Sequence, residues 1–349
     1  MVALIGNRDN RSFMSHANDW YDRVPKVELH LHLEGAIPLA PLWELIQKYG
    51  GDPAVPNFPA LEQKFRYRDF SHFIRTWVWK NGFLREYEDF TLIAAAVAKD
   101  LRAQNIRYVE AFFSPPDFAR HNLKAQEITE AVRKGLSQVP EIEVALIADL
   151  VRDYGSERAA RSLRDIAEVK DLGVIGIGIG GTEGDFPPAL FSDVYEDARK
   201  FGFHTSAHAG EAAGAVSVWG AIRELGVNRI GHGTRIGEDP ALLDYVVQNR
   251  IPLEMCPLSN VRTAVVESLS KHPIRNFFER GALVTVNTDD PKMFGNSLSE
   301  EFRGLHEALA FSDDELRQLI LNGIESSWLS SEKKTELRTS FEADPDWLT

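Results

Sequence analysis

Four imidazoles and three carboxyl groups fall in four short segments of this chain: His30-Leu31-His32, His208-Ala209-Gly210-Glu211, Gly231-His232-Gly233 and Thr288-Asp289-Asp290-Pro291. His30 and His32 are two apart on a run that reads as a strand, so both side chains leave the same face. With His208 and Asp289 they make three imidazoles and a carboxylate, a set that suits one zinc ion with water in the remaining position. The run 174–180 holds no lysine or acid to bridge a second metal, so one ion is expected rather than two. Glu211 follows His208 by three residues, after a glycine able to turn sharply. A carboxyl enclosed there can serve as general acid and base; a carboxylate stabilising a helix N-terminus is the plainer alternative. His232, between two glycines, can orient a water on the metal or hold a ligand in place. Asp290 can be aimed at substrate by the turn at Pro291, and a surface turn is its plain reading.

Each segment follows an apolar run that reads as a strand. Eight such runs occur, at 27–33, 106–113, 143–149, 174–180, 203–207, 229–231, 251–255 and 283–287, with helical patterns between them. Eight alternating strands and helices predict an α/β chain closed into a (β/α)8 TIM barrel, whose sites sit at the C-terminal ends of the strands. The four chemical segments end runs one, five, six and eight, which agrees with that rule. Helices are predicted over 90–102, 126–136 and 192–200. The insert after run one, 36–88, carries Phe70, Phe73, Ile74 and Trp77 at helical spacing; a helix packed on the barrel and a lid over its mouth both fit such a stripe.

The remaining features set limits. The chain of 349 residues is 44% hydrophobic and 26% charged, enough for a substantial core. It reads as a single barrel domain over 1–349, with 1–20 a poorly ordered tail and 36–88 a lid insertion. Its net charge of −13 argues against nucleic acid or an anionic membrane as partner. The N-terminus lacks a signal-peptide core, no run reaches membrane-spanning length, and Cys256 stands alone, so a cytoplasmic setting is expected. His16, His121, His272 and His306 receive no role; His72 and His204 could line the site or pack. Gly176 to Gly181 lacks the helix and Lys-Ser or Lys-Thr of a phosphate loop, and its glycines could let a flat ring lie against backbone.

Lys26-Val27-Glu28-Leu29-His30-Leu31-His32-Leu33-Glu34-Gly35, His208-Ala209-Gly210-Glu211, Arg229-Ile230-Gly231-His232-Gly233-Thr234 and Asn287-Thr288-Asp289-Asp290-Pro291 together resemble the adenosine deaminase family of zinc barrel hydrolases, in order and from about Val24 to Trp328. The resemblance implies that His30, His32, His208 and Asp289 hold zinc. It implies that Glu211 protonates the purine ring nitrogen beside the amino carbon. His232 and Asp290 would position the attacking hydroxide, and Gly181 would offer a backbone N–H to the ring. The implied reaction is hydrolytic deamination at C6 of a 6-aminopurine nucleoside, a small-molecule substrate. Two departures stand out. Glu34 replaces the Asp that usually contacts a ribose hydroxyl, and the fourth run ends Gly178-Ile179-Gly180-Gly181-Thr182-Glu183 instead of the usual Asp-Leu-Ala-Gly-Asp-Glu. With Leu253-Glu254-Met255-Cys256-Pro257 and Asp290-Pro291-Lys292-Met293-Phe294-Gly295, this is similar to the aminodeoxyfutalosine deaminases of bacterial menaquinone synthesis. Adenosine and free adenine are the competing substrates; an amide or phosphoester hydrolase and an inactive binding protein are the competing classes. Phe70, Phe73 and Trp77 would then cover the nucleoside, and Arg75 or Arg85 would meet a substrate carboxylate.

Overall fold

Along β1 (Lys26–His32), Glu28, His30 and His32 alternate with Val27, Leu29 and Leu31, and all seven residues are buried. Alternation without exposure means that the strand is covered on both faces, as in a sheet wrapped by helices. Val27 faces out against Gly323 of the helix Asp313–Ser326, where an added Cβ would lie 2.4 Å from its methyl group. The even-numbered side chains face the barrel interior. The computed structural model describes residues 19–67 and 70–347.

Seven more strands follow: β2 (Ile106–Phe113), β3 (Glu143–Asp149), β4 (Val174–Gly178), β5 (His204–Ala209), β6 (Arg229–His232), β7 (Leu253–Met255) and β8 (Val284–Val286). They pair in sequence order, all in parallel. The circle closes beyond the end of β8, where Asp289 bridges to Leu31. There His32 N–H donates to Asp289 O at 2.8 Å and Asp289 N–H donates to His30 O at 3.0 Å. The predicted (β/α)8 barrel is the observed fold. The short strands end earlier than their apolar runs because the chain turns there: β8 stops at Val286, and Asp289 adopts a left-handed backbone with φ +66°.

The glycines of β4 serve packing rather than a bound ring. A Cβ on Gly176 would lie 2.4 Å from the Trp328 ring, and one on Gly178 would lie 2.4 Å from the Phe112 ring. Trp328 closes the N-terminal end of the barrel, stacked on His204 at 5.0 Å with the Arg229 guanidinium 3.6 Å from its ring centre. His204 therefore packs at the end opposite the site.

The chain before β1 forms α1 (Trp20–Arg23), capped by Asp19. Residues 1–18 lie outside the described part, but Asp19 and Trp20 do not belong to a loose tail. Trp20 Nε1 donates to Asp346 O, and Asp19 accepts from Arg303, so both are tied to the C-terminal half. Between β1 and β2 come α2 (Leu39–Lys48), α3 (Phe58–Lys64), α4 (Phe70–Asn81) and α5 (Tyr87–Ala103). Leu42, Leu45, Ile46 and Leu61 join the main core, so α2 and α3 pack on the barrel. α4 reaches the mouth, where Phe73 forms a separate apolar cluster with Met293 and Phe294 beyond β8, and Phe65 and Tyr67 from the segment before α4 pack against it. Ile74 is not part of that face; at 41% exposure it lies on the outer side of α4 with Val78. The stripe 70–73–74–77 mixed two faces because the inner face also carries Thr76 and Lys80, polar residues that hydrophobic spacing overlooks. The side chain of Phe70 lies outside the described part.

Candidate active site

β1, β5 and the turn after β8 bring His30, His32, His208 and Asp289 together, with one ligand atom from each inside a 4.8 Å cluster. The Nε2 atoms of His30 and His32 lie 3.1 and 3.2 Å from His208 Nε2, and 3.6 and 3.4 Å from Asp289 Oδ1. Tetrahedral zinc bonds of about 2.0–2.1 Å to nitrogen place neighbouring ligand atoms about 3.3 Å apart, so the four donors fit such an ion. Burial, then the other imidazoles, push the His208 ring well below its usual pKa, which keeps it in the neutral form that binds metal. Burial opposes ionisation of Asp289, but His30 and the neighbouring rings hold its carboxyl well below the usual range.

Behind these four residues stands a buried ionic network. His30 Nδ1 meets Glu254 Oε2 at 2.7 Å, which leaves Nε2 with its lone pair facing the site. Glu254 is bound by Arg229 at 2.5 Å and by Ser206 at 3.1 Å, and Arg229 also pairs with Glu110 at 2.5 Å. Burial works against the Glu254 charge, yet Arg229 and His30 bring its pKa down to about 2. Ser259 Oγ donates to Asp289 Oδ2 at 2.6 Å, and Arg152 Nη2 donates to the carbonyl of His208 at 2.7 Å. Glu28 Oε1 accepts from Thr288 N–H at 2.7 Å, fixing the turn that carries both aspartates.

Glu211, His232 and Asp289 form a second, overlapping group, with one donor atom from each again inside 4.8 Å. His232 Nε2 lies 3.6 Å from Glu211 Oε2. Gly210 turns with φ +73°, and His232 itself has φ +61°, a region non-glycine residues rarely enter outside constrained sites. Gly231 is required by close approach: a Cβ there would lie 2.9 Å from the His30 ring. The loop bearing Glu211 is held by Glu183, whose carboxylate accepts from the N–H groups of Gly210, Glu211, Ala212 and Ala213 at 2.6 to 3.1 Å. Burial, then Asp289 and Glu183, raise the Glu211 pKa to about 8, so it carries its proton at neutral pH. Burial and Asp289 likewise push Asp290 well above the usual range. Three acids this close favour a cation among them.

The substrate-side residues are placed less uniformly. Trp77 meets His32 edge-to-face at 6.3 Å, and Phe73 stacks on Phe294 at 4.9 Å. Gly181 is exposed with φ +105°, and a Cβ there would strike the Asp153 carboxylate. Glu34 is buried, with Oε1 accepting from Ser114 N–H at 2.9 Å and its carbonyl accepting from Lys80. Arg85 is engaged elsewhere: its guanidinium covers the Tyr49 ring and donates to Gly82 O. Arg75 lies exposed beside Ile74 on α4. The buried cation near Glu34 and Asp290 is Lys80, which the apolar spacing of α4 conceals. Asn260 and His272 were outside the motifs, and Glu254, within the quoted segment 253–257, was given no role. Glu254 alone left a signal, as a charge in the middle of an apolar run.

An eight-stranded parallel barrel with this cluster at its C-terminal mouth is the arrangement of a metal-dependent hydrolase of the amidohydrolase type. The adenosine deaminase family model matches residues 25–343, and the chain belongs to that family. The adenine deaminase of Bordetella parapertussis is 35% identical, over 88% of this chain and 98% of its own. The aminodeoxyfutalosine deaminase of Streptomyces avermitilis is 32% identical, over 91% and 90%. A crystal structure of an amidohydrolase from Burkholderia ambifaria, with bound Zn, superposes with a TM-score of 0.85 at 27% identity, covering 92% of this chain and 90% of that one. The chain is thus a deaminase of adenine, adenosine or a related 6-aminopurine, and it acts on a small molecule. No helix among the described residues is long and apolar enough to cross a membrane.

Proposed function

We propose that this single-domain enzyme removes the C6 amino group of a 6-aminopurine nucleoside by hydrolysis, with one zinc ion held by His30, His32, His208 and Asp289. The observation that carries the reading is the convergence of Glu211 and His232 on Asp289 of that ligand set, with Asp290 close enough to feel the charges of Asp289 and Glu211. When bound, zinc lowers the pKa of water toward ~7 and so supplies a nucleophile at neutral pH. Glu211 gives its proton to the ring nitrogen beside C6, which makes C6 electrophilic as the attacking oxygen adds. It then takes up a proton from that oxygen and returns it to the departing amine, and ammonia leaves. His232 and Asp290 hold the attacking oxygen on line with C6, and the Gly181 N–H faces the ring. The single buried thiol, Cys256, suits a reducing compartment such as the cytoplasm.

Among nucleosides, aminodeoxyfutalosine, converted to futalosine for menaquinone synthesis, is the proposed substrate. The ending of β4, the presence of Glu34 and the likeness to the Streptomyces avermitilis enzyme support it. So does the apolar cluster of Phe73, Met293 and Phe294, which offers a wall for an aryl group at the 5′ end. Free adenine is the second reading, favoured by the likeness to the Bordetella parapertussis enzyme. Steady-state kcat/KM on aminodeoxyfutalosine, adenosine, 5′-deoxyadenosine and adenine decides. Preference for adenine or adenosine refutes the substrate assignment and leaves the reaction class intact.

A companion measurement concerns the wall. Phe73→Ala should lower kcat/KM for the aryl-bearing nucleoside roughly tenfold more than for adenosine, the scale of one lost aromatic contact. Equal losses on both substrates would show that Phe73 only supports the fold.

A further inference from the structure

His272 lies forty residues beyond His232 and outside every motif, yet its side chain is buried and hydrogen-bonded toward the site. We propose that Ile274, His272 and Asn260 form a directional relay that fixes His232 as the tautomer with its proton on Nε2, so that it donates to the attacking oxygen. The proposal rests on the placement of His232 beside that oxygen, given above.

The direction is set at the far end. The backbone N–H of Ile274 lies 3.3 Å from His272 Nδ1 and can only donate. His272 Nδ1 is therefore an acceptor, and the neutral ring carries its proton on Nε2. That Nε2 meets Asn260 Oδ1 at 3.1 Å, an N–H to a carbonyl oxygen. The amide cannot be turned over, because its NH2 would then face the Nε2–H of His272, donor against donor. With Oδ1 committed, Asn260 Nδ2 faces His232 Nδ1 at 3.0 Å and donates to it. An imidazole that accepts at Nδ1 bears its proton on Nε2 when neutral. Asn260 and His232 are fully buried and His272 is 3% exposed, so solvent does not compete for these positions.

The free end of the relay points where a donor is useful. His232 Nε2 has no hydrogen-bond partner among the described residues and stands 3.6 Å from Glu211 Oε2. With the opposite tautomer it would present a lone pair there and could not donate to the attacking oxygen. Asn260 and His272 touch neither substrate nor the ligand set, and they act as positioning residues through His232. Asn260 is placed for this by the helix Pro257–Arg262, in which Ser259, the residue before it, holds Asp289. One turn of helix thus sets both a ligand and the donor opposite it.

The test reads the proton directly. Long-range 15N–1H spectra of histidine-labelled protein, with His232→Gln to identify the signal, report the tautomer in zinc-free and zinc-loaded protein without any substrate. Wild-type His232 should carry its proton on Nε2. Asn260→Asp replaces the only donor by an acceptor, so the proton should move to Nδ1 and kcat should fall about 10²–10⁴-fold with little change in KM, as for other lost donors and wrong-tautomer histidines. His272→Gln can accept from Ile274 and donate to Asn260, and should keep both tautomer and rate. His272→Leu cannot, and should give mixed tautomers and at least about a tenfold lower kcat. If Asn260→Asp does not fold, the wild-type spectrum and the His272 pair decide. A proton on Nδ1 in wild type overturns the relay. So does a His272→Leu variant that matches His272→Gln in tautomer and kcat. An enzyme that prefers adenine leaves the spectra unchanged, so the substrate assignment and the relay fail separately.

Discussion

Glu211→Gln is expected to lower kcat by about 10²–10⁴-fold, the span of a lost general acid and base, while zinc content and thermal unfolding stay near wild type. The amide keeps the shape of the carboxyl and cannot donate an acidic proton. The loop conformation does not depend on the Glu211 side chain, because Glu183 holds four successive N–H groups of that loop. The pH profile gives a second signature. A carboxyl raised to about 8 by burial, Asp289 and Glu183 is protonated below that value, so kcat/KM falls as pH rises through it. A bound dication moves this limb to lower pH, because it favours the carboxylate. Either way the alkaline limb belongs to Glu211 and should vanish in the Gln variant. A variant with near-normal turnover would mean that Glu211 only terminates the turn after β5.

Chelation is expected to abolish activity, and elemental analysis should find about one zinc per chain, restored together with activity on adding zinc back. The four donors already stand at the separations of a tetrahedral zinc site, and two of them, His30 and Asp289, are braced from behind by Glu254 and Ser259. A preformed set of this kind binds the folded state and not the unfolded chain, so the metal also stabilises the fold. At a thousandfold excess over Kd that is worth about 4 kcal/mol. The melting temperature should therefore drop on chelation, and drop less in Asp289→Ala, which has already lost a ligand. Two metals per chain would refute the mononuclear site. An unchanged melting temperature in a protein shown to have lost its metal would refute the coupling to stability.

The strands and the clustering of His30, His32, His208 and Asp289 were legible because both follow short-range rules. An inward side chain at every second position, and apolar runs ending in His or Asp, place His30, His32, His208 and Asp289 at one mouth before any coordinates are known. The same local reading misjudged α4, where Thr76 and Lys80 face inward and Ile74 faces water. It also gave the β4 glycines to a ligand, when Trp328 and Phe112 fill the space beside them. Those neighbours come from distant parts of the chain, and spacing carries no record of them. His272 is the clearest instance. Nothing around it in sequence marks it, and its meaning comes from Asn260, which in turn takes meaning from His232. Arg85 shows the converse: an attractive charge near the mouth in sequence is bound to Tyr49 and Gly82 in space.

The seam of the barrel has a consequence for how the enzyme is made. The first strand and the turn after the last are joined where His30, His32 and Asp289 exchange backbone hydrogen bonds, and Leu29 N–H is held by Asn287 Oδ1 from 258 residues away. During synthesis the first two histidines leave the ribosome early and wait for a partner that emerges near the end of translation. A nascent chain therefore cannot assemble the complete ligand set by accident part-way through. Completion of the four-residue set and joining of the two ends become one late event, so a product truncated before Asp289 has neither a closed barrel nor the complete set.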